Sequence, residues 1–355
     1  MHIADATLAV IILWTFIFVY AVAASIDFGA GFWSMLYMNR GKLGASEMAN
    51  RYLSPSWEVT NVFIVLIVVS LYSFFPGAND ILGSTLLLPG SVILLLLAFR
   101  SAFLVFSHSA VEKYRRVLTV ISGMSGVMIP ALLILVLPVT HGTFIHAVNG
   151  VKLLDFSTLF MSLSFYAFTG FAITNTLYLS SLLLADYARV AGDQEAYRVY
   201  RKSAIGLGPF TLLMAVMIVV ALQNDADWLF LRLQGNFFWL LLAVFAFLLG
   251  YLALFYSKKG KAKPGVPRAS VVLTIVQYLL AGYAYGKAHY PYIVYPYVTV
   301  AQGFTDPNTF RALSISYLIG LMLLLPGFIF FWKMFMADHR YIRADKDSVD
   351  DRGNK

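Results

Sequence analysis

The chain has 355 residues, of which 60% are apolar and only 12% charged, with no cysteine and a formal charge of +8. An ordinary soluble domain carries about a quarter charged residues, so roughly half of the usual surface charge is missing and most of the outer face must meet lipid. That excludes the pair of soluble domains that length alone would suggest, and the lack of cysteine excludes disulfides, thiolate metal sites, iron–sulfur clusters and cysteine nucleophiles.

A membrane-spanning helix needs about 20 mostly apolar residues. In chain order, nine segments qualify, near 7–37, 57–76, 82–107, 117–139, 157–185, 204–222, 236–257, 268–287 and 311–335. The first and fifth are long enough to tilt or to project beyond the hydrocarbon. No Lys or Arg precedes the first apolar run and no clear cleavage site follows it, so the first span is expected to stay in the mature protein. The expected fold is all-α and polytopic: one integral-membrane domain over 1–336, with approximate halves 1–140 and 155–290. Two four-helix bundles, a ninth helix at 311–335 and a polar cytoplasmic tail at 337–355 would account for the chain. An echo between Tyr20-Ala21-Val22 and Tyr166-Ala167-Phe168 is the one hint of repetition, and it is weak.

Basic residues set the expected orientation. Alternate loops hold Arg40, Lys42 and Arg51; Lys113, Arg115 and Arg116; Arg189, Arg198, Arg201 and Lys202; Lys258, Lys259, Lys261, Lys263 and Arg268; and the tail adds Arg340, Arg343, Lys346, Arg352 and Lys355. These twenty face four on the other side, Lys152, Arg232, Lys287 and Arg311. Positive-inside then puts the N-terminus outside and the C-terminus in the cytoplasm. The same asymmetry accounts for the net charge, so no nucleic-acid partner is needed.

Ionisable groups at hydrocarbon depth call for a partner or a role. Three stand out: Asp27 in the first span, Glu58 at the start of the second and Arg100 in the third. All three fall between mid-membrane and the expected inner surface, where neighbouring helices could bring them into one polar pocket. Arg100 can hold one carboxylate ionised while the other titrates near the working pH and passes protons along a water chain. Equally, the arginine can simply pair with an acid to hold the bundle, or snorkel to the interface. Pro55 and Pro89 read as helix starts or kinks, and Gly29 and Gly31 as close-packing positions.

His2, His108, His141, His146, His289 and His339 all lie at helix ends, in loops or in the tail. That disfavours a haem held by paired histidines across two helices. Met124, Met128, Met214, Met217 and Met322 lie within spans, but methionine in an apolar helix is far more often packing filler than a ligand. The aromatic stretch YPYIVYPYV at 290–298 reads as an interfacial anchor with helix ends.

Four stretches resemble subunit II of cytochrome bd-type quinol oxidases. YAVAASIDFGAG at 20–31 is similar to the first-helix signature of that family, and SPSWEVTNV at 54–62 to its Pro-x-Trp-acid stretch. LAFRSAF at 97–103 resembles its third-helix arginine, and FWKMF at 331–335 the end of its final helix. Asp27 matches the second acid of an Asp-Gly-Phe-Asp motif whose first acid is Ala24 here. Glu58 stands for the commoner Asp after Trp57, and Ser101 for the Pro that often follows the arginine. The resemblance implies a nine-span subunit of a bacterial cytoplasmic-membrane complex that oxidises quinol and reduces O2 to water. It implies haem b and haem d in a partner subunit I, none held by this chain, and a possible small accessory membrane subunit. It also implies proton entry through Glu58, with Trp57, Asp27 and Arg100 shaping the path. Two other readings of the same charges are an ion-coupled secondary transporter and a purely structural membrane subunit.

Overall fold

The computed structural model describes residues 2–38, 43–107, 112–256 and 265–335, with side chains except at 2, 3, 43, 51–59, 104, 107, 112, 113, 115, 328 and 330–335. The expected tail at 337–355, Arg40 and Lys42 lie outside the described residues, as do the side chains of Trp57 and Glu58 and all of those of FWKMF.

The chain enters through α1 (His2–Tyr37) and α2 (Leu43–Phe74). Then α3 (Pro76–Thr85) and α4 (Leu87–Ser107) meet at an 82° bend. Pro76 starts α3, where a missing N–H costs nothing, and Pro89 lies in the first turn of α4, again a place that tolerates proline. Next come α5 (Glu112–Leu133) and the short α6 (Val136–Thr140). A hairpin of β1 (Ile145–Val148) and β2 (Val151–Leu154), paired antiparallel with Ile145 opposite Leu154, leads through α7 (Phe156–Met161) into α8 (Leu163–Ala191). Helix α9 (Gln194–Asp225) follows, and α10 (Asp227–Gln234) and α11 (Phe237–Ala253) are bent by 80°. The chain closes with α12 (Pro267–His289), a hairpin of β3 (Tyr292–Val294) and β4 (Val298–Thr299), α13 (Val300–Gly303) and α14 (Pro307–Phe335).

Boundaries follow local chemistry. Gly192 ends α8 with φ +80°, a left-handed cap that glycine takes without steric cost, and Asp193 caps α9 by accepting from Ala196 N. Asp155 and Ser162 cap α7 and α8 in the same way.

Helices α1, α2, α4 and α5 form one group and α8, α9, α11 and α12 another, joined where α1 packs on α8. At that joint a Cβ on Gly29 would stand 2.0 Å from Ser180 Oγ, so only glycine permits the approach. Trp33 Nε1 donates to the same Ser180 Oγ at 3.0 Å, and Trp33 stacks on Tyr37 with Tyr200 against both rings. Leucine, valine and phenylalanine side chains cover the outer faces of α4, α11 and α14, as lipid or a partner subunit requires.

Among the described residues six helices are long and apolar enough to cross a membrane, or eight if each bent pair is one span. The segment expected at 57–76 lies within α2 (Leu43–Phe74), of which Thr60–Phe74 forms a shorter apolar stretch among the residues described with side chains. The fold is mostly helical, with two short β-hairpins. The β1–β2 turn carries Asn149 at φ 50° and Gly150 at φ 82°, the Asn-Gly pair that favours a two-residue hairpin.

Candidate functional site

Asp27 and Arg100 meet in the first group of helices. Arg100 Nη2 lies 3.2 Å from Asp27 Oδ2, and both side chains are only 3% exposed. The same nitrogen donates to the Asp27 carbonyl at 2.9 Å, while Nη1 donates to the Ser122 carbonyl at 2.9 Å and to Ser122 Oγ at 3.2 Å. One guanidinium thus ties α1, α4 and α5 together. Its carbon also sits 5.2 Å from the Phe28 ring centroid, within cation–π range.

Small residues make the room. A Cβ on Gly31 would stand 2.7 Å from Arg100 Nη1, and one on Gly126 only 2.3 Å from the Phe28 carbonyl. Gly123, one turn earlier on α5, similarly faces Met35. A buried ion pair repays its desolvation only when further hydrogen bonds satisfy it, and the two Ser122 contacts and the Asp27 carbonyl supply them. Arginine stays protonated at any physiological pH, so the pocket holds a fixed positive charge with a carboxylate against it.

Tyr20 lies two helical turns along α1 from Asp27, in an apolar cluster with Phe28, Ile93 and Ile129. It is buried, its hydroxyl has no hydrogen-bond partner among the described residues, and it feels the charges of both Asp27 and Arg100. Of the residues expected to share the pocket, the structure brings Asp27 and Arg100 together. Glu58 and Trp57 stand on α2 with their side chains outside the described residues. Sequence reasoning missed Ser122, Gly126 and Tyr20, although the Ser-Gly-Met-Ser-Gly run at 122–126 on one helix is a small-residue signal of close packing.

A second polar cluster closes the opposite end of the molecule. His141, just after α6, bonds Tyr285 Oη through Nε2 at 2.8 Å, and His289 at the end of α12 bonds the Tyr292 carbonyl through Nδ1 at 2.8 Å. Their rings are 6.3 Å apart, and Trp228 stacks on Tyr295 above them with centroids 4.2 Å apart. Burial, reinforced by His289, holds the His141 imidazole well below the usual histidine range. Segment 290–298 is therefore more than an anchor: it folds over this cluster, with Val294 fully buried. Nearby on the surface, hydrogen bonds from Ser157 and Thr158 hold the Asp155 carboxyl well below its usual range, and His146 Nε2 lies 3.0 Å from it. The second helix group buries Asn175, Tyr178, Thr274 and Gln277, polar but uncharged, with Tyr278 partly buried beside them. Among the described residues no group of three or more His, Asp or Glu could hold a metal ion.

Three comparisons bear on these sites. Residues 6–335 match the family model for cytochrome bd terminal oxidase subunit II. A putative cytochrome bd menaquinol oxidase subunit II from Bacillus subtilis (strain 168) is 55% identical over 343 residues, covering 96% of this chain and 99% of that protein. The solved bd oxidase from Geobacillus thermodenitrificans aligns with a TM-score of 0.77 and 33% identity, over 94% of this chain and 99% of the other.

Proposed function

The chain belongs to the cytochrome bd terminal oxidase subunit II family, and on that premise we propose that it guides protons into a menaquinol-oxidising complex while bracing the haem-bearing subunit I. It is a multi-pass membrane subunit of an oxidoreductase. The menaquinol substrate is taken from the name of the Bacillus subtilis relative, and the bacterial cytoplasmic membrane, with the N-terminus outside, follows the basic-residue asymmetry. Haem b and haem d in subunit I supply the oxygen chemistry. Reduction of O2 to water consumes protons as well as electrons, so turnover needs a polar route through an apolar body.

The observation that carries the proposal is the buried Asp27–Arg100 pair. It lies towards the ends of α1 and α4 that adjoin the strongly basic loops, the end where Glu58 enters on α2. Glu58, midway along α2, takes up a proton from the basic side, with Trp57 next to it in sequence supporting the path. Arg100 keeps the negative form of Asp27 tolerable at depth, so a proton arriving from Glu58 finds a carboxylate that is already oriented. Apolar walls around Tyr20 exclude bulk water beyond that point. The transporter reading gives way to the family assignment. A purely structural clamp has one observation in its favour, the four contacts that Arg100 makes with protein atoms.

The test is Glu58→Gln in the assembled complex, read by quinol-driven O2 uptake and by haem content in reduced-minus-oxidised spectra. The proposal expects turnover to fall about a hundredfold, the lower end of the range for lost proton-transfer groups, with haem bands intact. Normal turnover at full haem content would leave the structural clamp.

A further inference from the structure

We propose that the cleft between the end of α8 and the start of α12 binds a phosphate group, and that an anionic phospholipid head group is its source. The cleft encloses about 290 Å³ and is lined by Asp186, Arg189, Val190, Val266, Pro267 and Arg268. That volume lies at the lower end of small-ligand sites, about 300–1,000 Å³, and suits a head group rather than a whole lipid.

The wall is built before any ligand arrives. Arg189 Nη1 donates to the Gly265 carbonyl, and Arg201 Nε donates to the Leu254 carbonyl at 2.9 Å. Gly265 has φ +91°, and a Cβ there would stand 2.7 Å from the Leu254 carbonyl and 3.3 Å from Arg201 Nε. Backbone bonds from Gly265 N to the Tyr256 carbonyl and from Val266 N to the Ala253 carbonyl fix the segment that enters α12. Arg268 Nε is 3.0 Å from Asp186 Oδ2, and the Arg268 side chain is 70% exposed. Each of these bonds uses one of the five N–H donors a guanidinium carries. Among the described residues Arg189 and Arg268 therefore keep most of their donors, in the fork geometry that suits phosphate oxygens. Two lining cations against one carboxylate, with Arg201 alongside, leave the cleft positive.

Position selects the lipid. The cleft lies where α8 ends and α12 begins, at the level where head groups meet water. Val266, Val272, Phe255 and Tyr256 expose apolar surface beside it, and the Tyr256 and Ala253 carbonyls are bonded directly to the cleft-forming segment. An acyl chain can lie on this surface while its phosphate reaches the arginines. Basic residues gathered between spanning helices at the membrane surface bind anionic head groups through this combination.

The experiment is native mass spectrometry of the complete oxidase complex in mild detergent, with added phosphatidylglycerol or phosphatidylcholine. The variants are Arg268→Gln, Arg189→Gln and, as a control at the far end of α12, Lys287→Gln. Phosphatidylglycerol should be retained in preference to phosphatidylcholine. Each arginine variant should lower its retention about fivefold, the effect of one basic residue at an anionic membrane surface, and Lys287→Gln should leave it unchanged. Inorganic phosphate is the second probe. Displacement of bound phosphatidylglycerol by phosphate identifies the phosphate group as what is held. Phosphate binding that depends on Arg268, without lipid preference, assigns a soluble anion as the source. Equal retention of the two lipids with no Arg268-dependent phosphate binding, or full phosphatidylglycerol retention in both arginine variants, overturns the proposal. Because Arg268 is exposed, its variant keeps the test valid even where Arg189→Gln perturbs folding.

Discussion

The two helix groups bury polar atoms in opposite ways. The first holds a full charge pair, Asp27 with Arg100, fastened to backbone and hydroxyl groups on three helices. The second buries neutral amide and phenol groups, Asn175, Tyr178 and Gln277; in both groups some buried polar atoms lack a hydrogen-bond partner among the described residues, Arg100 Nε and Tyr20 Oη in the first, Asn175 Oδ1 and Gln277 Oε1 in the second. Charge in an apolar medium is maintained only where dedicated partners surround it. Neutral polar groups tolerate looser satisfaction, at a cost of about 1–3 kcal/mol for each unmet bond. The contrast sets a fixed buried charge pair in the first group against neutral polar groups in the second.

That contrast can be broken by substitution. Arg100→Met should have the largest effect, since it leaves the Asp27 carboxylate at depth without its guanidinium. Destabilisation of about 3–5 kcal/mol is expected, visible as loss of assembled complex on size-exclusion chromatography; wild-type assembly would show that the pair bears no structural load. Gly126→Ala comes next. Its methyl group would press on the Phe28 carbonyl rather than on a pliable side chain, so α5 must move from α1 at a cost of about 1–3 kcal/mol, measured as a lowered Tm. In the second group, Gln277→Met removes a buried oxygen that lacks a partner among the described residues while nearly conserving volume. Stability should stay level or rise, and the pH profile of O2 uptake should not move; a displaced profile would mean that the second group also handles protons.

The smallest effect is at the His141 end. Its imidazole is held below its unfolded value by burial, so the stabilisation is present above the ordinary histidine pKa of about 6.5 and is lost as pH falls below it. Once exchange is corrected for its intrinsic pH dependence, protection in β3 and β4 should therefore fall as pH drops below about 6.5, and His141→Gln should flatten that dependence.

How much of this was legible in the sequence depended on how rare each signal is. Aspartate and arginine inside apolar runs are conspicuous; of the pocket expected for Asp27, Glu58 and Arg100 the structure shows the Asp27–Arg100 contact, between spans that are parallel rather than consecutive. Ser122 and Gly126 were not legible, because serine and glycine are common in spanning helices and their role appears only once α5 is known to cross Phe28. The placement of His141 and His289 at helix ends was right. Their burial was not foreseeable, since it is imposed by β3, β4 and Trp228 folding over them from distant parts of the chain. The first β-hairpin was readable from Val148-Asn149-Gly150-Val151 and was overlooked because apolar run length dominated the reading.

The bend between α10 and α11 has a mechanical consequence for the surrounding bilayer. By turning through 80°, the chain leaves α11 only 17 residues long, or about 26 Å at 1.5 Å per residue. A hydrocarbon core is about 30 Å thick, and a shorter apolar stretch is matched by thinning the bilayer or by displacing headgroups inward. Phe238, Phe245 and Leu252 point outward along that helix, so wherever this flank meets lipid it is the bilayer that must yield. There the membrane should be compressed into a dimple, and shorter-chain lipids should gather.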